Sequence, residues 1–137
     1  MTVYVLDASA ILRHHDNEAG ADRMDAIFEA CARETAELSI SAVQWGEIAA
    51  VERKRLGAQA QQRFLASLME VGLYIIPVTA ERAERAAAIR VDRKIANADS
   101  YAVELAMESP GHVLVTADYD FKAVADLVQI EFLPAKE

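Results

Sequence analysis

A single cysteine, Cys31, stands in 137 residues, so no internal disulfide can hold this fold, and a reducing, cytoplasmic setting is expected. No apolar run approaches the roughly 20 residues of a membrane span. The N-terminus enters a strand pattern directly, without the basic region and cleavage site of a secretory signal. No linker, low-complexity tract or internal repeat interrupts the chain, which reads as one domain over residues 1–137. There is no phosphate loop, dinucleotide-type glycine pattern or nucleophile elbow. Basic residues are also scarce: 14 Lys and Arg against 22 Asp and Glu leave a net charge of −8, with a pI near 4.9. That balance weighs against non-specific nucleic-acid binding, which depends on Lys and Arg at phosphates. What remains, 53% hydrophobic and 26% charged residues, is the composition of an ordinary globular domain with one core.

Short apolar runs alternate with longer helical patterns, which predicts βαβ units and a mainly parallel sheet of about five strands flanked by helices. Strands are expected at 3–6, 38–41, 73–77, 113–116 and 129–133. Met24, Ile27, Phe28 and Cys31 form the i, i+3, i+4, i+7 stripe of a buried helix between Ala21 and Ala32. Ser41 and Gln44 have the spacing of a capping box opening a helix through about Arg55. Phe64, Leu65, Leu68 and Met69 mark another helix, ended by Gly72; its apolar face serves either core or interface. Thr79 is expected to cap an alanine-rich helix containing Ala83, Ala86 and Ala87, and Asn97 the helix containing Tyr101 to Met107, which Pro110-Gly111 closes.

Four acids fall where such a fold gathers ligands. Asp7 ends the run Val3-Tyr4-Val5-Leu6, and Asp118 follows Val113-Leu114-Val115-Thr116. In an open parallel sheet, ligands bind beyond the carboxyl ends of strands. Glu47 shares a helix face with Val43, Ala50 and Val51, and Asp99 one with Ala102, Val103 and Ala106. Each also has a structural reading. Asp7 or Ser9 can cap a helix, Asp118 or Asp120 can cap a helix running through Leu127, and Asp99 can complement a helix dipole. Glu47 is harder to explain this way, because Arg53 projects elsewhere and Arg55 lies beyond an i, i+4 pair. Clustered carboxylates repel unless a cation is present, so one shared hard cation, Mg²⁺ or Mn²⁺, accounts for all four acids together.

The candidate basic surfaces are Arg53-Lys54-Arg55 and Arg90 with Arg93-Lys94, which are either backbone contacts for a nucleic acid or solvated helix faces. His14-His15 and His112 lack partners at zinc-ligand spacing; the first two read as surface residues and His112 as lying in a turn. Cys31 reads as core, and Trp45 as packing or interface. A phospho-acceptor receiver domain needs an acid ending its third strand, where Ile76-Pro77-Val78-Thr79 has none. An Asp-x-Asp phosphatase fails because Asp7 is followed by Ala8-Ser9.

Val5-Leu6-Asp7-Ala8-Ser9-Ala10, Trp45-Gly46-Glu47-Ile48, Ala98-Asp99-Ser100-Tyr101-Ala102 and Val115-Thr116-Ala117-Asp118-Tyr119-Asp120-Phe121 resemble, in order and interval, the motifs of PIN-domain ribonucleases. The resemblance is strongest to VapC-type toxins of toxin–antitoxin pairs and runs from about Val3 to Leu133. It implies a PIN-like three-layer fold and a Mg²⁺-dependent endoribonuclease (Mn²⁺ being an alternative ion), in which Asp7, Glu47, Asp99 and Asp118 bind metal. Ser9 and Thr116 match hydroxyl positions around that cluster, and Asp120 matches a further acid whose contribution varies in the family. The basic clusters Arg53, Lys54, Arg55, Arg93 and Lys94 become candidate RNA contacts. A cognate antitoxin and a homodimer are the implied partners. The alternative is a catalytically silent PIN-like RNA- or protein-binding module.

Overall fold

The computed structural model describes residues 1–136. Its elements follow in chain order as β1 (Thr2–Leu6), α1 (Ala8–His15), α2 (Ala21–Ala32), β2 (Ala36–Ser41), α3 (Ala42–Leu56) and α4 (Ala58–Glu70). Then come β3 (Tyr74–Ile76), α5 (Ala80–Arg93), α6 (Asn97–Ala106), β4 (His112–Thr116), a 3₁₀ segment (Tyr119–Val124) and β5 (Gln129–Phe132). The five strands make one sheet in the order β3-β2-β1-β4-β5, and every pairing is parallel.

The strand order explains where the function-bearing end lies. From β1 the chain winds outward through β2 to β3, then returns to place β4 on the other side of β1. The direction of winding reverses between β1 and β4, so the helices after these strands diverge and open a crevice at the strands' carboxyl ends. Strand alternation divides the core between the two faces. Leu6, Leu38, Ile40 and Val115 pack with Ile11, Met24, Ile27, Ile48 and Leu68 on one face. Val5 and Leu114 pack with Ala102, Val103, Leu105, Ala106, Phe121 and Val124 on the other.

Local signals hold at most boundaries. Ser41 caps α3, its hydroxyl accepting from the Val43 N–H, and Thr79 caps α5 by accepting from Arg82 N–H. Gly72 follows α4 with φ +95°, a left-handed conformation that glycine adopts without a Cβ penalty. Four expectations are corrected. Asn97 is the first residue of α6 and Ala96 occupies the cap position, because the turn after α5 closes earlier. The helix expected to run from Asp118 or Asp120 through Leu127 is a 3₁₀ segment ending at Val124, where burial of Phe121 and Val124 fixes a tighter, shorter turn. His112 begins β4 rather than lying in a turn. Gln44 does not complete a capping box but turns inward, with no exposed surface.

Candidate metal centre

β1 and β4 are neighbours, with Leu6 in register with Val115, and the Asp7 N–H continues the ladder to the Val115 carbonyl at 3.0 Å. This register brings Asp7 beside the residues that follow β4. Asp7 stands at the cap position of α1, yet its side chain makes no capping bond to that helix. Both the Ser9 hydroxyl and the Thr116 hydroxyl donate to its Oδ2, the latter at 2.8 Å. The hydroxyls in turn accept from the next strand-end amides. Ser9 Oγ takes the Ala117 N–H at 2.9 Å and Thr116 Oγ1 the Asp118 N–H at 2.9 Å. Asp7 is 4% exposed. Burial pushes its pKa upward; the Ser9 and Thr116 bonds oppose that, and the Asp118 charge adds to it.

Asp118 is half-buried and caps the 3₁₀ segment by accepting from the Asp120 N–H at 2.9 Å. Asp120 is exposed. Asp99 lies in the first turn of α6 and is half-buried. Its pKa rises from 3.8 to about 7, first through burial and then through the charges of Asp7, Asp118, Glu47 and Asp120. Five carboxylates from the start of α1, from α3 and α6, and from the segment after β4 thus share one electrostatic neighbourhood. Among the described residues, none of the five is paired with a lysine, arginine or histidine.

Glu47 reaches this neighbourhood differently from the expectation. It is exposed, and the buried stripe of α3 is Gln44, Ile48 and Glu52. Apolar composition misleads here because two polar residues occupy inward positions at i, i+4, i+8. Glu47 therefore stands on the exposed side of α3 rather than on an apolar face, and its charge still acts on Asp99.

The donor set suits a hard divalent cation, since it is all oxygen and includes no histidine or cysteine. Among the described residues, no three acidic, histidine or cysteine side chains already stand at ligating distance around one point. Like charges hold one another apart, and drawing them together requires a counter-charge.

The remaining candidates are placed as follows. Arg55 donates to Asp16 at 3.1 and 3.2 Å, and Arg53 to Gln61 at 3.2 Å. With Lys54 they occupy the last turn of α3, about 10 Å along the helix from Glu47 at 1.5 Å per residue. Arg93 pairs with Asp126 at 2.7 Å, Arg90 donates to Asn97 at 3.2 Å, and Lys94 closes α5 with φ +55°. This second cluster adjoins the start of α6, which carries Asp99. His14 contacts Asp25 and His15 contacts Glu52, and His15 stacks on Phe64 with 3.8 Å between centroids. The two histidines point apart, as adjacent helical residues should. Trp45 and half-buried Cys31 pack against the core.

Two further buried acids show what a structural carboxylate looks like here. Glu104 receives Arg82 at 2.9 Å and Arg85 at 3.1 Å. Glu52 meets His15 at 3.2 Å, with Arg55 at 3.9 Å. Neither acid stands out in the sequence, and nor does the inward position of Gln44, which only the i, i+4 spacing to Ile48 signals.

Fold and groove define an all-parallel α/β protein with an acidic crevice at its switch point. More particularly, the chain belongs to the PIN domain family, whose pattern matches residues 4–127. Among solved structures it is similar to VapBC2 from Rickettsia felis bound to a fragment of its promoter DNA. The identity there is 17%, with 96% of this chain and 99% of that one covered, at a TM-score of 0.73. VapC20 of Mycobacterium tuberculosis, a toxin that cleaves the sarcin–ricin loop, is 21% identical with a TM-score of 0.71 over 96% and 99% of the chains. VapBC-1 from nontypeable Haemophilus influenzae is 17% identical with a TM-score of 0.70 over 95% and 97%. At these identities the likeness is one of fold. No curated protein matches the sequence significantly.

Proposed function

We propose that this chain is a metal-dependent endoribonuclease, the toxin of a toxin–antitoxin pair. The observation that carries the reading is the set of acids at the β1–β4 crevice, which no basic side chain among the described residues neutralises and whose charges add to burial in raising the Asp99 pKa to about 7. Carboxylates left unpaired in this way weaken a fold and are characteristic of sites kept for chemistry. Buried Glu104, paired with both Arg82 and Arg85, supplies the contrast.

Asp7, Glu47, Asp99 and Asp118 would hold Mg²⁺ or Mn²⁺, with Asp120 at the rim. The bound ion supplies Lewis acidity toward the phosphodiester and lowers the pKa of a coordinated water. Ser9 and Thr116 fix the Asp7 carboxylate by both donating to the same oxygen, Oδ2. One of these carboxylates, Asp99 or Asp118, would also accept the proton of the attacking water. Arg90 and Lys94, at the end of α5 that leads into the helix bearing Asp99, offer phosphate contacts, with Arg93 beside them and Arg53, Lys54 and Arg55 a second set. Hydrolysis of this type leaves 5′-phosphate and 3′-hydroxyl ends. The solved relatives crystallised as VapBC complexes support a cognate antitoxin as partner, and a homodimer is the proposed assembly. Among the described residues, no helix is long and apolar enough to cross a membrane, and cytoplasmic action fits the lone cysteine.

The test uses the purified chain, end-labelled RNA and Mg²⁺ or Mn²⁺. Cleavage should disappear with EDTA and fall about 10²–10³-fold in Asp7→Asn and Asp99→Asn, the scale for losing a group that stabilises developing charge. Circular dichroism should show both variants folded. Cleavage that survives in them, or 2′,3′-cyclic phosphate ends, would sink the reading. RNA binding without any cleavage would establish the silent module instead.

A further inference from the structure

Gln44 touches the polypeptide at the starts of α1 and α6, beside the buried Asp7 and the half-buried Asp99. Its Oε1 accepts from the Ala8 N–H at 2.8 Å, and Ala8 directly follows Asp7. Its Nε2 donates to the Ala98 carbonyl at 2.8 Å, and Ala98 directly precedes Asp99. Gln44 itself lies on α3 three residues before Glu47, one turn away on the helix. One planar amide therefore joins the starts of α1 and α6 and ties both to the helix bearing Glu47.

The residue type is specific to this task. An amide carries an acceptor and a donor on one rigid group without charge. Glutamate, once ionised, accepts only. It would face the Ala98 carbonyl with a second oxygen and add a charge to a cluster already in repulsion. Methionine has similar reach but bonds to neither partner, and asparagine is a methylene too short to span them. Ile48, the next residue on the buried stripe, shows that the face accepts apolar packing. A buried amide there costs free energy unless both ends are bonded.

We propose that Gln44 is the positioning residue of the acid cluster: its amide sets the spacing of Asp7 and Asp99, and so the tightness with which a divalent cation is held. This rests on the metal-binding reading above. Groups that orient metal-binding carboxylates without touching the ion change affinity by about 10–100-fold when removed.

The experiment compares Gln44→Met, Gln44→Glu and Ile48→Val, the last weakening the same face of α3 while leaving the amide in place. Mn²⁺ affinity is read by electron paramagnetic resonance, folding by thermal denaturation, and backbone order by amide hydrogen exchange. Both Gln44 variants should bind Mn²⁺ about 10–100-fold more weakly than wild type while retaining a cooperative transition. Ile48→Val should lose thermal stability and keep wild-type affinity. Wild-type affinity in folded Gln44→Met, or an equal loss in Ile48→Val, overturns the proposal. If Gln44→Met does not fold, Gln44→Glu, which keeps the acceptor for Ala8, decides by the same criterion. If the wild-type chain binds no Mn²⁺, the metal reading itself fails. Exchange then decides the positioning role: selective acceleration in the first turns of α1 and α6 in Gln44→Met supports it, and unchanged exchange there overturns it.

Discussion

Asp99 is the residue whose chemistry is most exposed to measurement. Its carboxyl titrates near 3.8 when solvated and near 7 in the fold, chiefly through burial and then through Asp7, Asp118, Glu47 and Asp120. Between those values the folded protein holds a proton that the unfolded chain has released. Stability therefore falls as pH rises through this window, and Asp7, also raised, acts in the same direction. The metal-free protein should melt at a higher temperature at pH 5 than at pH 8, a slope that calorimetry in EDTA reads directly. Asp99→Asn should flatten the slope and raise the melting temperature at pH 8, and a pH-independent melting temperature in wild type would contradict this account. Thr116 offers the opposite case. It is fully buried, donates to Asp7 and accepts from the Asp118 N–H. Thr116→Val keeps the shape and deletes both bonds, so urea denaturation should show a loss of about 1–3 kcal/mol, the cost of leaving buried polar groups unserved. An unchanged midpoint would mean that water replaces the hydroxyl.

Among the elements, α6 needs the firmest seat, since it carries Asp99 at its first turn. It packs on the sheet through Ala102, Val103 and Ala106, and α5 clamps it through Arg82, which reaches Glu104 at 2.9 Å and Glu108 at 2.6 Å. Arg82→Met should cost up to about 3 kcal/mol in chemical denaturation, below the ~3–5 of an isolated buried pair because Arg85 still serves Glu104. No loss would show that Arg85 alone suffices. This element is legible in the sequence through its apolar spacing, and the strands through short apolar runs such as Val3-Tyr4-Val5-Leu6. The neighbouring of β1 and β4 is not legible, because strand order follows from tertiary packing rather than from any local pattern. The four acids are legible as residues, but not all of their surroundings. Glu47 is expected on an apolar face and stands exposed, because the inward stripe of α3 includes Gln44 and Glu52. A polar residue whose hydrogen bonds are all long-range carries no local signature, and for that reason Gln44 has only the look of a cap in the sequence.

For the whole molecule, the proposed ribonuclease activity raises the question of how a chain of net charge −8 would approach a polyanion. Much of its positive charge is already engaged internally: Arg23, Arg33, Arg55, Arg82, Arg85, Arg93 and Lys136 all pair with carboxylates. Among the described residues, Arg90 in the last turn of α5 and Lys94 just after it have no carboxylate partner, and Arg90 donates to Asn97, two residues before Asp99. A nucleic acid drawn to the groove would meet these two cations together with whatever charge the bound ion contributes. The double substitution Arg90→Ala with Lys94→Ala should therefore raise KM for single-stranded RNA and leave kcat close to wild type. It should also reduce the slope of log KM against log salt by about 1.4, at roughly 0.7 for each phosphate no longer neutralised on a single strand. Arg53→Ala with Lys54→Ala, at the far end of α3, should change the slope less. A double variant at Arg90 and Lys94 with an unaltered salt slope would show that the α5–α6 turn is a solvated surface and that RNA enters from another side.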